Sequence, residues 1–350
     1  MRISLEALVM SNCVRYERLS QNIQEAFAGS DATVLNIYVD VYSIIRSLYS
    51  KKHITDISNY NDLTACIINL CAHYRDYFRK YLGVSTNIFL VASYNCCEMN
   101  KKLVSGYNKN INISMNSNRA MTELINYNFD LLNVLCPYLP DIHFIKTDYE
   151  ASVVMYHIME LEKSKGNTNP NLIISKDPYM LQLVSLNGNT AYLRPRKHLG
   201  DDTSFIVGPL DSPDKINTFW RVFADLKVWK YDDIFIHPAN ISTVMALTAV
   251  PERDIKMILN VKKAKQIIAS TGIIIPTLQT IYEQNDISNK SAFEMTNARY
   301  KAIDIQFQHS VFGDTVESKM IKINNLSDPN AVKLINDKYF ENNPLDLERL

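Results

Sequence analysis

The 350-residue chain carries 37 basic and 37 acidic residues, so no global positive field draws it to nucleic acid or to an anionic membrane, and any nucleic-acid surface must be a local patch. At 47% apolar and 21% charged it has the composition of a globular protein long enough for two domains, which excludes disordered and fibrous classes. Its six cysteines (Cys13, Cys66, Cys71, Cys96, Cys97, Cys136) have no CxxC spacing and no grouping with the seven histidines, which argues against zinc and for reduced thiols.

Residues 1–30 read as an N-terminal helical extension ending at "AFAGSDAT". No continuous apolar stretch opens the chain, and no apolar run approaches the roughly 18 residues a membrane span requires. The expectation is an intracellular or virion protein with no secretion signal and no membrane partner. "TVLNIYVD" then reads as a buried strand, because β-branched and aromatic residues run without a break into Asp40. "VYSIIRSLYS" and "NDLTACIINLCAHYRDYFRKYL" follow as helices with apolar residues three and four apart, and "TNIFLVAS" is a second strand.

From 94 to 118 the chain turns polar and basic, as an excursion from the body of a domain would. "NRAMTELINYNFDLLNVLCPYL" is helical, "IHFIKT" a strand, and "ASVVMYHIMELEKSKG" a helix that its glycine stops. "NLIIS" is a strand, "PYMLQLVSL" a helix and "TAYLRPRK" a short strand. Strands alternating with helices over 31–205 predict an α/β domain with a parallel sheet. Past "GPLDSPDK" the pattern is helical over 206–288, and 289–350 reads as a peripheral C-terminal tail. Scarce glycine, 9 of 350, beside abundant Asn, Ile, Lys and Tyr, suits an AT-rich genome such as a viral or phage one.

Three carboxylates stand at strand-to-helix junctions: Asp40 after "NIYV", Glu150 after "HFIKTDY" and Asp177 after "NLIISK". In an open parallel sheet such junctions share the edge outside the carboxyl ends of the strands, where ligand sites form. Capping explains each acid singly, with Asp40 and Asp177 as N-caps and Thr147 with Glu150 as a capping box. Gathered together, the three would hold a divalent cation.

Order along the chain favours the second reading. "YVDVYSIIRSL", "YEASVVMYHI", "IISKDPYMLQLVS" and "TVMALTAVPERDIKMILNVKKAKQII" resemble, in sequence, the motifs of the flap endonuclease and 5′-3′ exonuclease family. That family has a strand ending in Asp, then E-A-D-D, then S-x-D-x-D-x-x-Q-L-V, then A-L-x-G-D with a helix-three-turn-helix. The resemblance covers residues 31 to about 280. It implies a PIN-like nuclease core followed by a helical region that contains the helix-three-turn-helix, with 94–118 in the place of the family's arch. Carried over by position, Asp40, Glu150 and Asp177 are metal-ligand acids, and Gln182, Leu183 and Val184 close the third motif.

Other ligand positions have lost their acids. The aspartates of E-A-D-D fall on Ser152 and Val153, the second Asp of the third motif on Tyr179, and the acid ending the second strand on Ser93. The acid before A-L falls on Thr243, and the G-D after it on Ala249 and Val250. Family enzymes use two cations roughly 3.5–4 Å apart to stabilise the attacking and leaving oxygens together. The three acids left can hold one Mg²⁺ or Mn²⁺ at most, since Mg²⁺ takes one or two carboxylates and completes its octahedron with water and phosphate.

Three basic groups are candidates for nucleic acid. Lys262, Lys263 and Lys265 begin the helix after the loop of the helix-three-turn-helix, where the family's glycines are replaced by Ile258 and Asn260. Arg194 and Arg196 follow the third-motif helix, and Lys101, Lys102 and Lys109 lie in the arch-like excursion, with Tyr94 or Tyr107 available to stack on bases. A solvated surface is the plain reading of any one such group. The leading expectation is a flap-endonuclease-like protein that has lost most metal-ligand carboxylates. It would be catalytically inactive, binding DNA with a flap or single strand, or serving with protein partners as a scaffold in a viral replication or virion complex. An active, divergent Mg-dependent 5′-3′ exonuclease drawing on Asp148, Asp232, Asp233 or Asp254 is the first alternative, and a purely structural protein-interaction subunit the second.

Overall fold

The computed structural model of the protein describes residues 32–49, 60–93, 119–177, 180–194, 205–207, 301, 304–319, 329–340 and 345. Among them the sheet has six strands in the order β3-β2-β1-β4-β5-β6. β1 (Val34–Asp40) is central, parallel to β2 (Ser85–Ser93) on one side and to β4 (Asn171–Ile174) on the other. β3 (Ile142–Thr147) and β5 (Thr190–Arg194) extend the parallel sheet outward, and β6 (Phe205–Val207) closes it as an antiparallel edge strand. Five parallel strands with intervening helices make the α/β class expected from the alternation; β6, three residues long, carried no pattern of its own.

Seven helices are described. In chain order they are α1 (Val41–Tyr49), α2 (Tyr60–Leu82), α3 (Arg119–Leu135), α4 (Ala151–Ser164), α5 (Leu181–Leu186), α6 (Ile305–Lys319) and α7 (Pro329–Tyr339). None of the described helices is long and apolar enough to cross a membrane. α3 stops four residues before Leu139, where the sequence pattern would have carried it. Pro137 lacks an N–H and disfavours helical geometry in the residue before it, so the chain tightens into a 3-10 turn at Cys136–Tyr138. α4 ends as its sequence predicts, with Gly166 just past it at φ +80°, a conformation that favours glycine.

Both faces of β1 are covered, as parallel strands require. Leu35, Ile37 and Val39 join a core with Phe78 of α2 and Leu124 and Phe129 of α3. Asn36, Tyr38 and Asp40 alternate with them and so occupy the opposite face. Glu162 of α4 acts electrostatically on both Tyr38 and His143, which puts α4 over that second face. There the side chains are layered. At one level Asn87, Asn36, Asn171 and Thr190 pass hydrogen bonds of 3.3, 3.3 and 3.4 Å across four strands, which satisfies amides that burial would otherwise penalise. One level up, Tyr38 stacks on Phe89 at 4.9 Å and Phe89 on His143 at 5.1 Å. Asp40 lies at the next level, on the carboxyl edge.

Described residues of the C-terminal region take part in the core. Val332 of α7, Phe340 and Leu345 belong to the same buried cluster as α2 and α3, and α6 packs on α4. The scattered apolar residues of "NAVKLINDKYF" hide this, because Val332, Ile335, Tyr339 and Phe340 pack on a core made mostly by distant chain while Leu334 stays exposed.

Candidate functional site

The strand order reverses between β1 and β4, which is where ligands bind in open α/β sheets. Asp40 ends β1 and Ser175-Lys176-Asp177 follow β4, so the topology alone brings Asp40 and Asp177 to one crevice. Asp177 is close enough for its charge to act on Asp40.

Asp40 is 0% exposed, and each of its oxygens accepts a hydrogen bond from the protein itself. Ser43 donates its backbone N–H to Oδ1 at 3.1 Å, the N-cap bond of α1, and Ser175 donates its hydroxyl to Oδ2 at 2.7 Å. Two further bonds complete the arrangement, the first crossing the crevice and the second bracing the β4–α5 junction itself. The Ser43 hydroxyl accepts the Lys176 N–H at 2.8 Å, and the Ser175 hydroxyl accepts the Asp177 N–H at 3.0 Å. Asp40, Ser43, Ser175 and the 176–177 backbone thus form one strut that ties the β1–α1 junction to the β4–α5 junction. Burial lifts the Asp40 carboxyl to about 7, and Asp177 adds to the rise, while the bonds from Ser175 and Ser43 oppose it.

Glu150 is placed elsewhere. β2 lies between β3 and β1, so the β3–α4 junction is two strands, or about 10 Å, from the Asp40 column. Among the described residues no group of three or more His, Cys, Asp or Glu side chains is close enough to hold a metal ion. The three acids expected to gather therefore do not form one metal-sized cluster. The expected capping box is also absent, for α4 begins only at Ala151, with Glu150 itself as N-cap. The Glu150 carbonyl accepts the N–H groups of Val153 and Val154 at 3.0 and 3.2 Å, while the Thr147 hydroxyl accepts the Tyr149 N–H at 3.1 Å in a local turn.

The positions where the resemblance puts lost acids have become structural where they are described. The Ser93 hydroxyl, 1% exposed, donates to the Tyr149 carbonyl at 2.6 Å and so fastens the end of β2 to the start of the α4 loop. Val153 is buried in the core at 1% exposure, and Ser152 is half-buried beside it. Tyr179 and Thr243 lie outside the described residues, as do Arg196, Lys101, Lys102, Lys109, Lys262, Lys263 and Lys265. Arg194 is the last residue of β5.

A divalent cation is what the resemblance implies at this edge. A two-cation centre needs several carboxylates to offset four positive charges, whereas the described residues of this crevice offer Asp40, wholly buried with both oxygens engaged, and Asp177. That donor set does not fit a two-cation centre, and no hydrolytic step follows from it. Ser43 and Ser175 are the site residues that motif reading passes over. Ser175 was visible as the serine of S-x-D; Ser43, three residues into "DVYS", carried only the spacing of an N-cap partner.

No protein-family model matches the chain, and no curated protein is similar to it in sequence. Among solved structures, the chain is similar to a bacteriophage T5 flap endonuclease pseudo-enzyme–product complex with DNA and metal ions. The identity is 12%, over 88% of this chain and 98% of that one, with a TM-score of 0.49. It is also similar to the T5 5′-exonuclease with zinc ions bound, at 11% identity over 88% and 98% of the two chains, with a TM-score of 0.40. At these identities and scores no activity passes from them to this chain.

Proposed function

We propose that the protein is a flap-endonuclease-like chain that no longer hydrolyses nucleic acid and serves as a DNA-binding or scaffold component. The observation that carries this reading is Asp40. The acid that the resemblance makes a metal ligand is 0% exposed and held at both oxygens by Ser43 and Ser175. Ser93 and Val153, at two other ligand positions, serve packing and strand fastening instead. Replacement of acids by residues with structural duties, on a framework that keeps its fold, is what supports loss of chemistry with retention of shape.

Nucleic-acid binding is carried by the basic groups Lys262, Lys263 and Lys265, with Arg194, Arg196, Lys101, Lys102 and Lys109 as further contacts. The ligand is a duplex with a flap or single-stranded arm. The test is fluorescence anisotropy with a 5′-flap DNA across a salt series. Phosphate contacts give log–log slopes near −0.9 per contact, so replacing Lys262, Lys263 and Lys265 together by Ala is expected to weaken binding about tenfold or more and to flatten the slope by about two to three. Absence of salt-dependent binding by the unaltered chain would move the reading to a protein-interaction subunit.

A further inference from the structure

α6 lies across both helices that begin at the acidic edge. At its start the Ile305 N–H donates to the Gln182 side-chain carbonyl of α5 at 3.4 Å. Further along, the Phe312 ring stands 6.1 Å from Tyr149, the residue before Glu150, and His309 meets the Tyr156 ring of α4 edge-on at 5.0 Å. Between these contacts His157 Nδ1 of α4 and His309 Nε2 are 3.0 Å apart, with His157 only 6% exposed. Two ring nitrogens at that distance hold one hydrogen between them, one ring donating and the other accepting.

We propose that the His157–His309 pair is a proton-operated latch that holds α6 across α4 and α5 near neutral pH and releases it on acidification. A first added proton goes to an outer nitrogen and leaves the bridge in place, now charge-assisted. A second must go to the accepting nitrogen of the bridge, which sets two N–H groups of two cations against each other, and the pair separates. Released imidazoles stand in water and take both protons at ordinary affinity, about 6.5. Below that value the open form binds more protons than the docked form, so docking weakens as pH falls.

Among the described residues, ionisable groups near the pair include Tyr156 and Glu160 from α4 and Asp304 from the turn into α6. Glu160 and Asp304 both act on Tyr156, whose phenol burial also raises, so it stays neutral throughout. Asp304 is engaged as the cap of α6, its Oδ1 accepting the Phe307 N–H at 2.6 Å. The latch tolerates the first proton, and the second is opposed by the first. Gln182, the contact on α5, is uncharged. The inference stands independently of the nucleic-acid reading.

The test is hydrogen exchange by mass spectrometry on the full chain at about pH 7 and about pH 5, corrected for intrinsic rates, with β1 as internal reference. Protection over 305–319 is expected to fall several-fold relative to β1 in the unaltered protein, toward the roughly tenfold limit that a one-unit difference in the affinity of one proton sets. In His309→Gln, whose amide can still bond His157 but does not titrate, that pH dependence is expected to vanish. Unchanged protection in the unaltered chain, or an equal fall in the variant, overturns the latch. Should the variant not fold, the histidine Cε1 proton resonances of the unaltered chain decide. Two separated titration steps, the lower coinciding with loss of α6 protection, support the latch, and a single step at ordinary affinity overturns it.

Discussion

Asp40 has an ionisation that opposes folding at neutral pH. Its carboxyl is lifted from 3.8 to about 7, so the folded chain holds this proton more tightly than the unfolded chain does. Between those two values the native state binds more protons, and the stability attributable to this group falls as pH rises, the loss being complete above about 7. Asp40→Asn keeps an acceptor for the Ser43 N–H but has nothing to ionise. It is expected to flatten this part of the stability profile and to be more stable than the unaltered protein at about pH 8 by on the order of 1–3 kcal/mol, after the cost of an imperfect bond to Ser175. Urea midpoints from about pH 4 to 8 check this, and an unchanged slope in the variant would assign the dependence to another group. Ser175→Ala acts in the other direction. It removes the donor to Asp40 and the acceptor of the Asp177 N–H together, and is expected to cost about 1–3 kcal/mol in the same measurement.

Elements differ in how openly the sequence announces them, and the reasons are physical. β1 to β5 were legible because buried parallel strands read as apolar runs bounded by turn residues, and "IHFIKT" matches β3 residue for residue. Helix ends were less legible: periodicity ran through Cys136 while Pro137 stopped α3, and a correct capping-box spacing at Thr147 and Glu150 met a helix that begins three residues too late. At the site, strand ends announce Asp40 and Asp177, which the topology sets at one crevice, whereas sequence order does not reveal that β2 lies between Glu150 and that crevice. The C-terminal helices were less legible for a related reason, their few apolar residues having meaning only against α2 and α3. Phe340→Ala tests that assignment. A side chain 1% exposed and packed in the main cluster is expected to cost about 3–5 kcal/mol on truncation, where a residue in a peripheral tail would cost next to nothing.

At the scale of the whole molecule, a parallel sheet carries the crevice at which a nuclease would place its acids, and the crevice is closed by a hydrogen-bonded strut. Among the described residues Asp40 and Asp177 meet at it without a third acid, and Ser93 and Val153 hold the frame together. Net charge is zero, so the proposed binding of nucleic acid would fall to local basic groups rather than to the field of the whole protein. The C-terminal helices complete the body, α7 from the α2–α3 side and α6 from the α4 side. The most direct measurement is cleavage of a labelled 5′-flap DNA in Mg²⁺ and then in Mn²⁺, beside an Asp40→Ala, Asp177→Ala double variant, with binding recorded in the same tubes. Binding without cleavage, alike in both proteins, is the expected result. Metal-dependent cleavage that the double substitution abolishes would contradict it and make the chain a working nuclease.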